Sequence, residues 1–343
     1  MKQTIIILLV CLGLASCTTM GYVSMESLYP SELSFPPEIK SVGIVDNTVF
    51  QDTLLKEHIT AGIIEGNGKW LANDLAEQLA DGEYFDDIIL CDSSLRSGNN
   101  QTAEARLTRE NVQQLLTDLQ VDMLITIDGL CVKTWEDARY FEEAGLFPSV
   151  GGEVSSMMSV YIPTRKDPIS IGIRDTLYWP IVAGLTEEKM VDDMASEMAS
   201  RAVRYFVPQW KPETRIFYAG GNVDLRDAAV LVNEQCWDEA YTLWKRQYDA
   251  AKPNSRKKIW TAFNLAVYYE MNGNIDEALK FAKEANDLAK AKNNQEDKTI
   301  TTFYYTGQLE NKALRLHKLN LQMSRFQEEG QTDKQTDEQQ TKE

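Results

Sequence analysis

From residue 39 onward the apolar positions alternate between two periods. Ile39 to Val45 is a compact β-rich run, and Lys69 to Leu79 then places Trp70, Leu71, Leu75, Ala76 and Leu79 on one helical face, so the chain reads as strand followed by helix. Ile88 to Cys91 is a second short apolar strand, Thr108 to Leu119 a second helix with Thr108 as N-cap, and Val121 to Val132 a third strand. Strands that alternate with helices are expected to pair in parallel. Thr108-Arg109-Glu110-Asn111 has Asn where a full capping box needs Glu or Gln, so the threonine hydroxyl acts alone.

The pattern changes beyond residue 134. Trp135 to Leu146 keeps neither period and is expected to be helical or irregular. Gly151-Gly152 introduces two extended runs, Val154 to Ile162 and Pro168 to Trp179, joined by a polar turn at Thr164 to Asp167, which predicts a β-hairpin. Met190, Val191, Met194, Met198, Ala202 and Phe206 recur at helical spacing between Thr186-Glu187-Glu188 and Pro208, in a helix expected to cover the sheet. Arg215 to Ala219 is expected to return as a last strand before Gly220-Gly221. Residues 39–219 therefore read as an α/β (α+β) sandwich domain. This order of elements resembles the N-terminal domain of the TolB family of periplasmic translocation proteins. It is also similar to the curli-secretion lipoproteins and to the outer-membrane lipoprotein activators of penicillin-binding proteins. The resemblance rests on element order without a diagnostic motif, and its curli-secretion branch implies an oligomeric secretion component.

Residues 222–290 become continuously helix-forming and open a helical module expected over 222–323. Ala262, Leu265, Ala266, Tyr269, Gly273, Ala278, Ala282 and Ala285 are spaced like a tetratricopeptide repeat, with small residues where two helices approach and Asn272-Gly273-Asn274 at the turn. A poorer copy precedes it, with Ala228 and Leu231 on one helix and Trp237, Ala240 and Trp244 on the next. Asp238-Glu239-Ala240 repeats as Asp276-Glu277-Ala278, and Lys252 to Lys258 holds the inter-repeat insertion. The alternative is a generic pair of helical hairpins. Thr299 to Met323 is expected to supply one or two closing helices, because two repeats leave an end face that needs a cap. The expected module is thus an all-α, tetratricopeptide-like array, followed by a polar tail at 327–343 expected to be disordered.

The front of the chain carries its most specific signal. Lys2, an apolar run from Thr4 to Leu14, and Leu14-Ala15-Ser16-Cys17 look like a bacterial lipoprotein signal occupying residues 1–16. In that class of signals the cysteine is acylated and becomes the first residue, so Cys17 is the expected membrane anchor and Leu14, Ala15 and Ser16 the recognition residues. Several acyl chains on one residue hold a protein durably, at about 0.8 kcal/mol per buried methylene. No Asp follows Cys17, which resembles lipoproteins sent to the outer membrane, with the periplasmic face favoured. Residues 17–38, polar and marked by Tyr29-Pro30 and Pro36-Pro37, read as a flexible tether. Cys91, Cys131 and Cys236 remain; a Cys91–Cys131 disulfide is open, but both lie in apolar strand-like runs that suit buried thiols.

Candidate chemistry is sparse. Gly66-Asn67-Gly68-Lys69 fails as a phosphate loop because Ile63 and Trp70 stand where Gly and Ser or Thr are needed, so it reads as a helix-capping turn. Asn272 to Lys283 fails as a calcium loop at Glu277 and Lys283. Only His58 and His317 are present, no serine sits in a nucleophile elbow, and neighbouring carboxylates such as Glu187-Glu188 suit helix starts, so no catalytic residue, metal site or cofactor is expected. Lys+Arg number 35 against 52 Asp+Glu, a net charge of −17, which disfavours nucleic acid. The sequence leaves a non-enzymatic, membrane-anchored lipoprotein that binds another envelope protein through its helical repeats. Tyr241, Trp244, Tyr248 and Tyr268 are its candidate partner-binding residues. Two alternatives stand beside it: a homo-oligomeric secretion or envelope-assembly component, and an envelope enzyme acting on glycan or peptide.

Overall fold

The computed structural model describes residues 20–48, 62–91, 95, 106–142, 145–182, 184–292 and 297–326. The signal residues 1–16, Cys17, His58 and the tail 327–343 lie outside the described residues. The chain divides into two compact units. One is helical and takes the described residues up to Tyr29 together with Trp210–Leu321; the other is α/β and takes Pro30–Gln209 with the described residues after Leu321.

The first strand, β1 (Met20–Tyr29), belongs to the helical unit, so the stretch expected to be a tether contains ten residues of strand. Its partner is β8 (Gln209–Tyr218), and the two make a two-stranded sheet. The side chains of β1 alternate between more and less exposed positions, and Ser27 and Phe217 of the pair are buried. The final strand thus lies outside the main sheet. A strand whose mate is some 190 residues away leaves no local signature beyond its alternation.

The α/β unit is built on β2 (Ser41–Asp46), β3 (Gly62–Glu65), β4 (Asp87–Cys91), β5 (Met123–Phe141), β6 (Gly145–Tyr161) and β7 (Ile169–Pro180), with helices α1 (Gly68–Asp81), α2 (Arg109–Leu119) and α3 (Glu187–Phe206). Strand order is β4-β2-β5-β6-β7, and β3 pairs with β5 beyond the stretch that β2 occupies. β4, β2 and β5 are parallel, and β5, β6 and β7 antiparallel. The two crossovers pass on opposite faces. α1 and α3 cover one, around Val42, Ile44, Leu71, Leu75, Ile125 and Met198; α2 covers the other, around Val45, Leu116, Val121 and Leu124. Alternation along β2 feeds both layers, as a sandwiched strand requires. The methionine stripe of α3 is fully buried, each side chain contributing roughly 1.5–3 kcal/mol. Thr108 and Thr186 cap α2 and α3, accepting hydrogen bonds from the Asn111 and Lys189 amides at 3.2 Å.

Trp135 to Leu146 is not helical. β5 continues to Phe141 and folds back as β6, pairing Thr134 with Gly152 and Phe141 with Gly145. The extension is held by contacts across strands: Trp135 meets Tyr178 edge-on at 6.1 Å, and the Arg139 guanidinium lies 3.5 Å over the same ring. Gly151 and Gly152 sit inside β6, not ahead of it. A Cβ on Gly151 would lie 2.4 Å from the Trp135 ring, and one on Gly152 2.1 Å from the Met194 methyl, so the pair lets large side chains close on both faces. Cys91, Cys131 and Cys236 are not joined in a disulfide. Cys91 and Cys131 lie on strands separated by β2, and the register sets Cys91 level with Thr126, five residues along β5 from Cys131, which puts the two well beyond disulfide reach. Cys131 is exposed, contrary to the expectation of a buried thiol.

The helical unit contains α4 (Val223–Asn233), α5 (Trp237–Asp249), α6 (Arg256–Met271), α7 (Ile275–Ala291) and α8 (Asp297–Met323), the last being one long helix. Ala262, Leu265, Ala266, Ala278, Ala282 and Ala285 are all buried between helices. The turns α4–α5 and α6–α7 share one geometry at an offset of 38. Gln235 and Gly273 both take positive φ (63° and 74°). The Cys236 amide donates to Leu231 at 2.8 Å as the Asn274 amide does to Tyr269 at 2.9 Å. These are the six-to-one bonds of a left-handed helix stop.

Candidate docking surface

α5 carries Tyr241 and Tyr248 seven residues apart, hence on one face; α6 brings Tyr268 and Tyr269 beside it, and α7 brings Phe281. Their rings form a continuous ladder. Tyr268 stacks on Tyr241 at 4.4 Å, Tyr241 meets Tyr269 edge-on at 5.9 Å, Tyr269 stacks on Phe281 at 5.4 Å, and Phe281 meets Tyr248 edge-on at 5.4 Å. Phe281 is buried, while the four tyrosines are half-buried, leaving part of each ring open to solvent.

The hydroxyls are tied down. Tyr268 donates to Asp238 at 2.6 Å, Tyr248 to Glu284 at 2.6 Å, and Tyr241 and Tyr269 share a bond of 3.2 Å. The Asp238 hydrogen bond, with burial second, pushes the Tyr268 phenol up to about 12; the bond to Tyr241 does the same for Tyr269. Burial and then the Glu284 hydrogen bond raise Tyr248 further. The Lys258 ammonium sits 3.2 Å over the Tyr248 ring. The result is a rigid aromatic stripe, neutral at ordinary pH and rimmed by Asp238, Glu284 and Lys258. Such amphipathic rings with two rotatable bonds are suited to holding a peptide at low entropic cost.

Trp244 is not part of this surface. It is fully buried, tilted against Phe217 at 6.0 Å, and its indole N–H has no hydrogen-bond partner. Three of the four candidates, Tyr241, Tyr248 and Tyr268, come together; Tyr269 and Phe281, not singled out as contacts from sequence, complete the ladder.

A second cluster in the helical unit has no counterpart in the sequence reading. Glu270, fully buried, accepts two hydrogen bonds from Arg215 (2.8 and 2.9 Å), one from Lys312 (2.9 Å) and one from the Tyr305 hydroxyl (3.0 Å). Glu213 accepts from Arg215, Lys312, Arg315, Ser27 and Tyr29. Burial alone would raise the Glu213 carboxyl, but the Tyr29 and Ser27 hydrogen bonds and the Arg215 and Lys312 charges hold it down to about 2. The carboxylates, one on β8 and one on α6, are saturated by donors from β1, β8 and α8, so the cluster pins those four elements together. The one signal for it was a lone Glu in the buried Ala262-to-Met271 run.

In the α/β unit the carboxyl ends of β2 and β5 are where open sheets of this kind hold ligands. Here the polar groups bind one another: Asp46 accepts from the Thr48 amide and hydroxyl, and Asp128 accepts from Asn47, Thr126 and Ser159. The Gly66-to-Lys69 turn caps α1, the Asn67 side chain accepting from the Trp70 amide at 3.2 Å. Among the described residues no group of three or more His, Cys, Asp or Glu side chains could hold a metal ion. Among the same residues no helix is long and apolar enough to cross a membrane.

Residues 39–218, more than half of the chain, match the model of the family described as Domain of unknown function (DUF8603). The chain belongs to the DUF8603 family. Residues 226–311 match a second model, Domain of unknown function (DUF6340). The DUF8603 match covers all of the α/β sheet and also β8, which packs in the helical unit, and the DUF6340 match runs from α4 into α8. No curated protein matches the chain. Among solved structures it is similar to rare lipoprotein B from Shewanella oneidensis, at 11% identity and TM-score 0.24, over 48% of this chain and 91% of that one. It is also similar to a minor lipoprotein from Acinetobacter baumannii, at 8% identity and TM-score 0.20, over 49% and 93%. Scores this low establish no shared topology with the DUF8603 chain.

Proposed function

We propose that this protein is a lipid-anchored envelope lipoprotein without catalytic activity, held at the periplasmic face of the outer membrane through Cys17, whose helical repeats dock an extended segment of another envelope protein. The observation that carries the docking role is the tyrosine ladder, a rigid, half-exposed aromatic stripe crossing three consecutive helices. The anchor rests on Leu14-Ala15-Ser16-Cys17 and on the acylation that such a signal directs. The tetratricopeptide-like character draws on the shared turn geometry at an offset of 38 and on Ala240 and Ala278, both buried at equivalent places in α5 and α7.

The test places a photo-crosslinking residue at Tyr268, and separately at exposed Tyr140 of the α/β unit, in cells. An adduct formed from position 268 alone, and lost when Tyr241 and Tyr269 are changed to Ala, is expected; no adduct, or the same adduct from both positions, refutes docking on the ladder. Labelled palmitate incorporated by the native chain and not by Cys17→Ser checks the anchor. A second reading, a homo-oligomeric assembly component, draws on α8, where Ile300, Phe303, Tyr304 and Leu314 are 64–72% exposed. Light scattering of the purified protein separates the two: a monomer excludes it.

A further inference from the structure

A cleft of about 580 Å³ opens in the α/β unit between the start of α2 and the turn from β6 to β7. Its floor is apolar, formed by Leu116, Tyr161 and Ile162, each 6% exposed. The Tyr161 hydroxyl accepts the Leu107 amide at 3.0 Å and so fixes the entry to α2. The rim is basic. Arg106, Arg109, Arg165 and Lys166 face one carboxylate, Asp167, in a chain that otherwise carries a large acidic excess. Asp167 is taken by Arg106, at 2.5 Å. Arg109, Arg165 and Lys166 have no carboxylate partner among the described residues, and all three are exposed.

Three exposed cations without a carboxylate partner among the described residues line the rim of one concave cleft, an arrangement that raises the local concentration of anions. The volume lies within the roughly 300–1,000 Å³ of small-molecule sites. Two guanidinium forks and an ammonium suit the three oxygens and double charge of a phosphate better than the single charge of a carboxylate. The floor suits an apolar body attached to that head. We propose that this cleft binds a small organic phosphate, its head held by Arg109, Arg165 and Lys166 and its apolar body lying on Leu116, Tyr161 and Ile162. A soluble phosphomonoester and a lipid headgroup present the same phosphate, and the chemistry that recognises it is the same in both. The site is independent of the tyrosine ladder and of the docking role.

The test is calorimetric titration of the purified full chain with inorganic phosphate, phenylphosphonate and dihexanoyl phosphatidate below its micelle concentration. Saturable one-to-one binding of at least one organic probe is expected, about tenfold or more tighter than inorganic phosphate, since burying a ring or acyl segment contributes at least about 1.4 kcal/mol. Raising salt from roughly 50 to 300 mM weakens it. The better organic probe names the source: phosphatidate a lipid headgroup, phenylphosphonate a soluble ester. Arg109→Glu/Arg165→Glu/Lys166→Glu should lower affinity more than about tenfold, and the milder Arg165→Gln/Lys166→Gln should lower it measurably, with thermal midpoints unchanged because all three side chains are exposed. Absence of saturable binding by the native chain, inorganic phosphate binding as tightly as both organic probes, or variants that bind as the native chain does, each overturns the proposal.

Discussion

The buried cluster around Glu270 permits a quantitative test of what holds the helical unit together. Glu270→Gln keeps the shape of the side chain and removes its charge. In the native unit two carboxylates, Glu213 and Glu270, face Arg215, Lys312 and Arg315, and Glu270 is the partner of the two most buried cations. Without its charge, Arg215 and Lys312 keep only Glu213, and the amide presents N–H groups where the guanidinium, ammonium and phenol need an acceptor. Removing one member of a buried pair costs about 3–5 kcal/mol because the charge left behind is uncompensated. At roughly 2–4 °C per kcal/mol for a protein of this size, the melting of the helical unit should fall by about 6–20 °C. A surface pair is the control. Lys245→Ala breaks a contact to Asp249 of 2.6 Å between exposed side chains and should cost no more than about 0.5 kcal/mol. The triple variant Glu270→Leu/Arg215→Met/Lys312→Met, which leaves Glu213 with Arg315, should melt above Glu270→Gln, since an apolar replacement strands no charge. Differential scanning calorimetry at pH 7 reads all three. A Glu270→Gln midpoint within about 2 °C of the native protein, matching Lys245→Ala, would refute the view that this network locks the elements together.

Two further outcomes follow from the same electrostatics. Glu213, held at about 2 in the folded unit against an ordinary 4.5, contributes stability that is fully present above 4.5 and lost as pH falls from there towards 2. The helical unit's melting temperature should therefore decline over that window, and Glu213→Gln should flatten the decline; an unchanged slope in the variant removes Glu213 as its source. Tyr268 should stay protonated until about pH 12 by ultraviolet difference titration, and Asp238→Asn should bring one tyrosine back towards 10, whereas an identical titration curve would show that the Asp238 bond is not made in solution.

The alternation from β2 to β5 was legible because each element there is closed by short-range chemistry. Thr108 and Thr186 cap their helices, and the apolar faces of α1 and α3 repeat within a few turns. The hairpin of β6 and β7 was legible from its polar turn. The extension of β5 was not, because Trp135 to Phe141 is charged and aromatic, and is stabilised by Tyr178 some forty residues on. β1 was missed for the same reason at longer range: its partner strand and the Lys312 that bonds Ser27 lie far along the chain. The docking surface was half legible. Tyr241, Tyr248 and Tyr268 were among the candidates, but spacing alone does not tell which aromatics of a helical hairpin turn inward, and Trp244 turns in.

The early start of β1 changes the mechanics of the anchor. A tether over residues 17–38 would have given the folded chain a reach of up to about 75 Å from the bilayer, at roughly 3.5 Å per residue. With Cys17 lipidated as proposed, only three peptide steps separate the lipid from Met20, at most about 11 Å, comparable to the Debye length of physiological salt. The helical unit is then a surface-bound body and not a buoy on a line. Its encounters become nearly two-dimensional, and a partner is selected by the height at which it carries its docking segment above the membrane as much as by the residues in that segment.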